Sequence, residues 1–128
     1  MRALLDTSTF LWFIDGSDRL SDNARVFMEE FDNELFMSVA SLWEIAIKIR
    51  IGKLELAKSF DTLLPEKIEE NEINILPISF SHLSETMKLP LHHRDPFDRL
   101  IIAQGIQEKL PLIGCDRAFR AYPIDIIW

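Results

Sequence analysis

The stretch Ala3-Leu4-Leu5-Asp6-Thr7-Ser8-Thr9 decides the fold class of this chain. Its three apolar residues lack the polar alternation of a half-exposed strand, which is typical of a parallel strand buried on both faces. The acid and the hydroxyl residues that follow are candidate helix caps. The stretch therefore predicts a buried strand over 3–5 and a helix over 10–14, with Asp6 at the carboxyl end of the strand.

The same alternation of strand and helix recurs along the rest of the chain. Short apolar runs predict further strands at 35–39, 73–78, 112–114 and 124–128. Apolar spacing and capping residues predict helices at 22–31, 40–51, 59–71, 82–89, 96–109 and 117–121. Pro65 is expected to kink its helix or to start a second one. This order predicts one α/β domain over residues 1–128, with a mostly parallel five-stranded sheet flanked by helices.

The composition is that of an ordinary globular protein. The chain has 128 residues, of which 48% are hydrophobic and 27% charged, so disorder or a fibrous repeat over the whole chain is excluded. Fourteen basic and 21 acidic residues give a net charge of −7, which argues against a basic platform for nucleic acid. A phosphate substrate bridged by a cation remains compatible with this charge.

The cysteine content and the apolar runs bear on location. Cys115 is the single cysteine, so no intramolecular disulfide can form, and a reducing compartment fits best. We find no pattern of a signal peptide and no uninterrupted run of 18 apolar residues. The sequence therefore predicts a cytoplasmic protein that does not cross a membrane.

Four acids follow strands or begin helices in a way that could bring them together. Asp6 and Asp116 follow predicted strands, while Glu44 and Asp98 lie on predicted helices. Ligands of an open parallel sheet gather at the carboxyl ends of its strands. Carboxylates that converge there repel one another unless they share a cation, and oxygen ligands favour Mg²⁺ or Mn²⁺.

Each acid also has a purely structural interpretation. Asp6 and Asp116 could cap the helices that follow them, and Asp98 fits a capping box that Asp95 begins. Glu44 fits a similar box with Ser41, unless the helix begins earlier and places Glu44 deeper. These alternatives stay open for single residues, and the combination of four acids carries the prediction of a metal site.

Other polar residues have weaker claims on a role. His92 and His93 are expected to be solvated loop residues, His82 a surface residue, and Cys115 a buried thiol. Five cations could meet phosphates, namely Lys48, Arg50, Lys53, Arg94 and Arg99.

Several motifs, in order along the whole chain, resemble those of a PIN domain, and most closely those of VapC-like toxins of bacterial toxin–antitoxin pairs. The motifs span residues 4–8, 41–48, 93–104, 115–119 and 122–128. The resemblance implies a three-layer PIN fold. It also implies a Mg²⁺- or Mn²⁺-dependent endoribonuclease that hydrolyses RNA phosphodiester bonds, forms homodimers and is inhibited by a cognate antitoxin.

The resemblance assigns roles residue by residue. Asp6, Glu44, Asp98 and Asp116 match the four acids of the family, which hold one or two metal ions. Thr7 and Ser8 match a segment that orients Asp6. Asp95 lies beside these acids and is interpreted from its own sequence context as the cap of the following helix, and Arg99 is expected to engage phosphate.

Two glycines stand out. Gly114 replaces the hydroxyl residue that the family commonly has two positions before the fourth acid, which implies weaker metal binding. Gly105 lies inside a predicted helix, where close packing of another element is one explanation.

Other functions remain to be weighed. A non-catalytic PIN-like module that binds a protein is the main alternative. A phospho-acceptor receiver domain is disfavoured because Pro77-Ile78-Ser79 follows the third strand, where that fold places its aspartate. A dehalogenase-type phosphatase is disfavoured because Asp6-Thr7-Ser8 lacks its second acid.

Overall fold

In the computed structural model, which describes residues 1–128, the apolar run near Leu4 forms the central strand of one sheet. The sheet has the order β3-β2-β1-β4-β5, and all four neighbouring pairs are parallel. The strands are β1 (Arg2–Leu5), β2 (Glu34–Ser38), β3 (Asn74–Leu76), β4 (Leu112–Ile113) and β5 (Ile126–Ile127). The predicted mostly parallel sheet is therefore confirmed, and it is parallel throughout.

Six α-helices and a short 3₁₀ helix connect the strands. They are α1 (Thr7–Asp15), α2 (Asp22–Glu29), α3 (Val39–Arg50), α4 (Phe60–Glu70), α5 (Phe80–Lys88), α6 (Pro96–Glu108) and the 3₁₀ helix (Arg117–Ala121). Pro65 lies within α4 and does not divide it. None of the helices is long and apolar enough to cross a bilayer.

Two hydrophobic cores cover the two faces of the sheet, which gives the predicted three layers. Successive side chains of a strand point to opposite faces. Accordingly, Ala3 and Leu5 belong to a core with α1, α2, α3 and α4, whereas Leu4 belongs to a core that includes α6 and the 3₁₀ helix. All three side chains are fully buried, as expected for the centre of a covered parallel sheet.

Three helices, α1, α3 and α5, begin earlier than predicted, and the starts of α1 and α3 matter for the site. Helix α1 begins at Thr7 rather than at residue 10, because the Asp6 side chain caps it directly after β1. Helix α3 begins at Val39 because Ser38 is its cap, with the hydroxyl 2.9 Å from the amide of Ala40. In each case the helix starts at the carboxyl end of its strand.

Gly105 allows close packing inside α6, as the sequence suggested. A Cβ at this position would collide with the Ile124 side chain and would lie 3.2 Å from the carbonyl oxygen of Leu110. The approach of the segment before β5 therefore accounts for a residue that otherwise weakens a helix.

Candidate metal centre

The four predicted acids come together at the carboxyl edge of the sheet. Asp6, Glu44, Asp98 and Asp116 line one open cavity of about 360 Å³. Asp6 follows β1 and Asp116 follows β4, the strand beside it, while α3 and α6 bring Glu44 and Asp98 to the same place. The topology thus assembles four distant parts of the chain into one acidic cavity.

Asp6 is both a helix cap and a member of the cavity. One carboxylate oxygen accepts a hydrogen bond of 2.9 Å from the amide of Ser8, and the side chain is largely buried. The pKa of Asp6 is raised to about 6, mainly by burial and also by the charges of Glu44 and Asp116, while the hydrogen bond from the Ser8 amide opposes the increase. The capping and site interpretations therefore both hold for this residue.

Glu44 lies in the interior of α3 and is almost fully buried. Because α3 begins after Ser38, Glu44 is too deep to form a capping box. The Thr7 hydroxyl donates to one of its oxygens at 2.7 Å, and Lys48 Nζ lies 2.7 Å from the other. The contact with Glu44 raises the pKa of Lys48. Thr7 therefore orients Glu44 rather than Asp6, which Ser8 contacts through its backbone.

Asp98 is directed into the cavity and not toward the start of its own helix. The predicted cap is Asp95, whose side chain accepts from the amide of Asp98 at 3.0 Å. The Asp98 carboxylate instead lies 3.0 Å from His93 Nε2. The pKa of Asp98 is raised to about 7, mainly by burial and also by the charges of Asp6 and Asp95. Asp98 is therefore not merely a helix-start acid.

The two carboxylate oxygens of Asp116 make different contacts, one with the backbone and one with a side chain of the cavity. Its Oδ1 accepts from the amide of Ala118 at 2.9 Å and caps the 3₁₀ helix. Its Oδ2 lies 2.9 Å from His93 Nε2. With 44% of its side chain accessible, Asp116 is the most exposed of the acids that contact His93.

His93 is not the solvated loop residue that the sequence suggested. Only 14% of its side chain is exposed, because the ring lies between Asp98 and Asp116 and stacks on Phe119 with the ring centres 5.8 Å apart. Donor atoms of His93, Asp98 and Asp116 all lie within 4.8 Å of one another. One signal in the sequence could have indicated that His93 belongs to the site: it lies two residues before Asp95, the cap of the helix that carries Asp98.

Other single-residue predictions are corrected as well. His82 is buried, with Nδ1 accepting from the amide of Ser79, and Cys115 is exposed rather than buried. Lys48 alone of the five predicted phosphate-contacting cations lines the cavity.

Arg99 supports the site in a different way from the predicted phosphate contact. Its guanidinium group donates to the carbonyl oxygens of Thr86 at 2.8 Å, Pro90 at 2.9 Å and Leu89 at 3.2 Å. These bonds hold the end of α5 and the first residues of the loop that follows it, from which His93 projects. Arg99 is therefore committed to the backbone and stabilises the loop beside the acids.

The donor set suits a hard divalent cation. Burial and mutual repulsion make it unfavourable for Asp6 and Asp98 to carry their charges together, as their raised pKa values show. A shared Mg²⁺ or Mn²⁺ ion would offset that repulsion, and carboxylate oxygens are the ligands these ions prefer. The residues present therefore fit a divalent metal.

Gly114 makes room for two residues of the site. A Cβ here would lie 2.9 Å from Asp6 Oδ2 and 2.9 Å from Phe119 Cε2. Since a cap holds Asp6 and the core holds Phe119, neither can move freely. We expect Gly114→Ala to lower the free energy of unfolding by about 1–3 kcal/mol, measured by urea denaturation. The loss should shrink in a Phe119→Leu background, and an unchanged stability of the single variant would contradict the argument.

Comparisons with known proteins find one protein family whose sequence model matches this chain, and several solved structures with a similar fold. The sequence model of the PIN domain matches residues 3–125. No curated protein sequence matches the chain.

Solved structures resemble this chain over nearly its whole length. VapBC2 from Rickettsia felis, bound to a DNA fragment from its promoter, has a TM-score of 0.71 at 16% identity, and the match covers 98% of this chain and 97% of that one. DNA-bound VapBC from Salmonella typhimurium has a TM-score of 0.68 at 16% identity, with 98% and 96% covered. VapBC-5 from Mycobacterium tuberculosis, of the VapBC family of toxin–antitoxin systems, has a TM-score of 0.62 at 19% identity, with 98% and 97% covered. At these identities the likeness concerns the fold.

Proposed function

Because the chain belongs to the PIN-domain family, we propose that it is a Mg²⁺- or Mn²⁺-dependent endoribonuclease and the toxin of a toxin–antitoxin pair. The observation that carries this proposal is the convergence of Asp6, Glu44, Asp98 and Asp116 on one cavity. A cluster of carboxylates, two of them buried, at the carboxyl edge of a parallel sheet fits the hydrolysis of phosphodiesters, because a divalent cation can join acidic protein to acidic substrate.

In such a site some side chains would hold the cation, and others orient the carboxylates. When bound, the cation supplies positive charge to the phosphate and lowers the pKa of water. Asp6, Asp98 and Asp116 would hold it, with Glu44 beside them on α3. Lys48 and Thr7 keep the Glu44 carboxylate in place through contacts of 2.7 Å, and the Ser8 amide does the same for Asp6.

An antitoxin is the expected protein partner. VapBC-5 from Mycobacterium tuberculosis, to which the fold is similar, belongs to the VapBC family of toxin–antitoxin systems, and another similar structure is a toxin–antitoxin complex from Klebsiella pneumoniae. Both support an antitoxin as the partner. The net charge of −7 and the acidic cavity suit a basic segment of such a partner, which would block the site by neutralising it. With a single cysteine and RNA as substrate, we place this activity in the cytoplasm.

An exposed apolar groove supports a homodimer. Trp43, which is 60% exposed, lines a groove of about 510 Å³ together with Leu83, Leu91, Phe97 and Leu100. Exposed apolar surface of this kind often marks a site of association.

The test is cleavage of single-stranded RNA by the purified chain. We expect cleavage with Mg²⁺ or Mn²⁺, its loss on adding EDTA, and its return when the metal is restored in excess. RNA that stays intact under all metal conditions, together with no heat on titration with Mg²⁺, would instead favour the non-catalytic binding module.

A further inference from the structure

The loop between α5 and α6 carries an imidazole that reaches two acids of the proposed centre at once. We propose that His93 is a positioning residue whose Nε2–H group holds the carboxylates of Asp98 and Asp116 together, and that it is not a metal ligand. The effect of His93 on metal binding rests on the proposed function. The position of the proton on the His93 ring does not depend on it.

The hydrogen bonds of the ring determine which nitrogen carries the proton. The amide of Asp95 donates to His93 Nδ1 at 3.2 Å, so Nδ1 is the acceptor and has no proton. In a neutral imidazole the proton then lies on Nε2. That atom is 2.9 Å from Asp116 Oδ2 and 3.0 Å from Asp98 Oδ2. A protonated Nε2 donates to both carboxylates and has no lone pair for a metal.

The main chain of His93 is held by a buried tyrosine. The His93 amide donates to Tyr122 Oη at 2.9 Å, and this hydroxyl donates in turn to the carbonyl oxygen of Pro90 at 2.8 Å. Arg99 also donates to Pro90. The backbone from which the ring projects is therefore attached both to α6 and to the segment after the 3₁₀ helix.

The imidazole ring of His93 stacks on the ring of Phe119. Its plane lies 26° from that of Phe119, whose side chain is fully buried and belongs to the 3₁₀ helix capped by Asp116. His93 thus contacts Asp98 at the start of α6 and Asp116 after β4. These two acids come from separate segments, and they repel each other whenever both are ionised. One shared donor offsets this repulsion and fixes where both oxygens lie.

The state of the ring can be observed directly. Long-range ¹⁵N–¹H spectra of the uniformly labelled protein at pH 8 should show His93 with a proton on Nε2 and none on Nδ1. Saturating Mg²⁺ should leave this pattern in place. A proton on Nδ1, or the loss of the Nε2 proton when Mg²⁺ is added, would overturn the proposal and make His93 a ligand.

Two variants separate positioning from packing. In His93→Gln the amide nitrogen can still donate to the carboxylates, whereas His93→Leu keeps apolar bulk against Phe119 and has no donor. We expect His93→Leu to bind Mg²⁺ about 10-fold more weakly in calorimetric titrations, as for other groups that orient ligands, and His93→Gln to recover most of that loss. Urea denaturation identifies a variant that fails to fold.

Each outcome of the titrations has a clear meaning. Equal Mg²⁺ affinity of His93→Leu and wild type would contradict positioning, and so would equal weakening in both variants. A wild-type protein that takes up no Mg²⁺ would refute the proposed function, while the observed proton position would still decide the state of His93.

Discussion

Replacing Asp6 or Asp98 with asparagine is expected to reduce metal-dependent RNA cleavage by at least about 100-fold, since even groups that only orient a metal ligand are worth 10- to 100-fold. Each substitution keeps the shape of the side chain and removes a negative charge from the cavity that both residues line. An amide oxygen is a weaker ligand than a carboxylate for a hard cation. The loss should therefore appear in cleavage rate and in Mg²⁺ affinity together.

Asp61→Asn is the matched control for these variants. Asp61 is an exposed acid in the first turn of α4, outside the cavity, so its replacement should leave cleavage within about twofold of wild type, as is usual for surface positions. Urea denaturation of all three variants separates lost chemistry from lost folding. If folded Asp6→Asn and Asp98→Asn proteins cleave RNA as fast as wild type, the catalytic proposal is wrong.

The second large effect that we expect is a change in the free energy of unfolding of the metal-free protein when Asp98 is replaced. We expect Asp98→Asn to be more stable than wild type by roughly 2–4 kcal/mol at pH 8 in EDTA, because one pKa unit corresponds to about 1.4 kcal/mol. Burial, with the charges of Asp6 and Asp95, raises the pKa of Asp98 from 3.8 to about 7. The folded protein then binds this proton more tightly than the unfolded chain does.

The direction of the pH dependence follows from that difference. The contribution of Asp98 to stability is present below about pH 4 and is lost as the pH rises through 7. The advantage of Asp98→Asn should therefore shrink as the pH falls from 8 to 5, as measured by urea denaturation in EDTA. Asp61→Asn is again the control, because it shows how much the removal of a surface acid alone changes the free energy of unfolding. A variant that is less stable than wild type at pH 8 would mean that the bond to His93 outweighs the burial of the charge.

The sheet and its acids were predictable because their signals are local in sequence. Unbroken apolar runs mark parallel strands, and an acid at the end of a strand must lie at the edge of the sheet, which places Asp6 and Asp116. The proline at the first position of α6 and the Asp95 cap likewise mark the helix that carries Asp98. For these residues local pattern and tertiary position agree.

The partners of the acids were not predictable in the same way. His93 gains its role from contacts with Asp116 and Phe119, which are more than 20 residues away and reach it only once β4 has paired with β1. Arg99 looked like a free cation because nothing in the sequence shows that its guanidinium group lies beside the carbonyl oxygens of Thr86, Leu89 and Pro90. Both assignments depend on how the loop after α5 folds back.

The position of β1 at the centre of the sheet has a consequence for synthesis of the protein. One side of β1 can pair with β2 as soon as residue 38 has emerged, but the other side waits for β4 at residues 112–113. Asp116 and the stacking partner of His93 emerge later still. A nascent chain on the ribosome therefore carries Asp6 and Glu44 long before it can assemble them with Asp98 and Asp116. The cell is exposed to a complete acidic centre only after translation has passed Asp116 and the 3₁₀ helix that follows it.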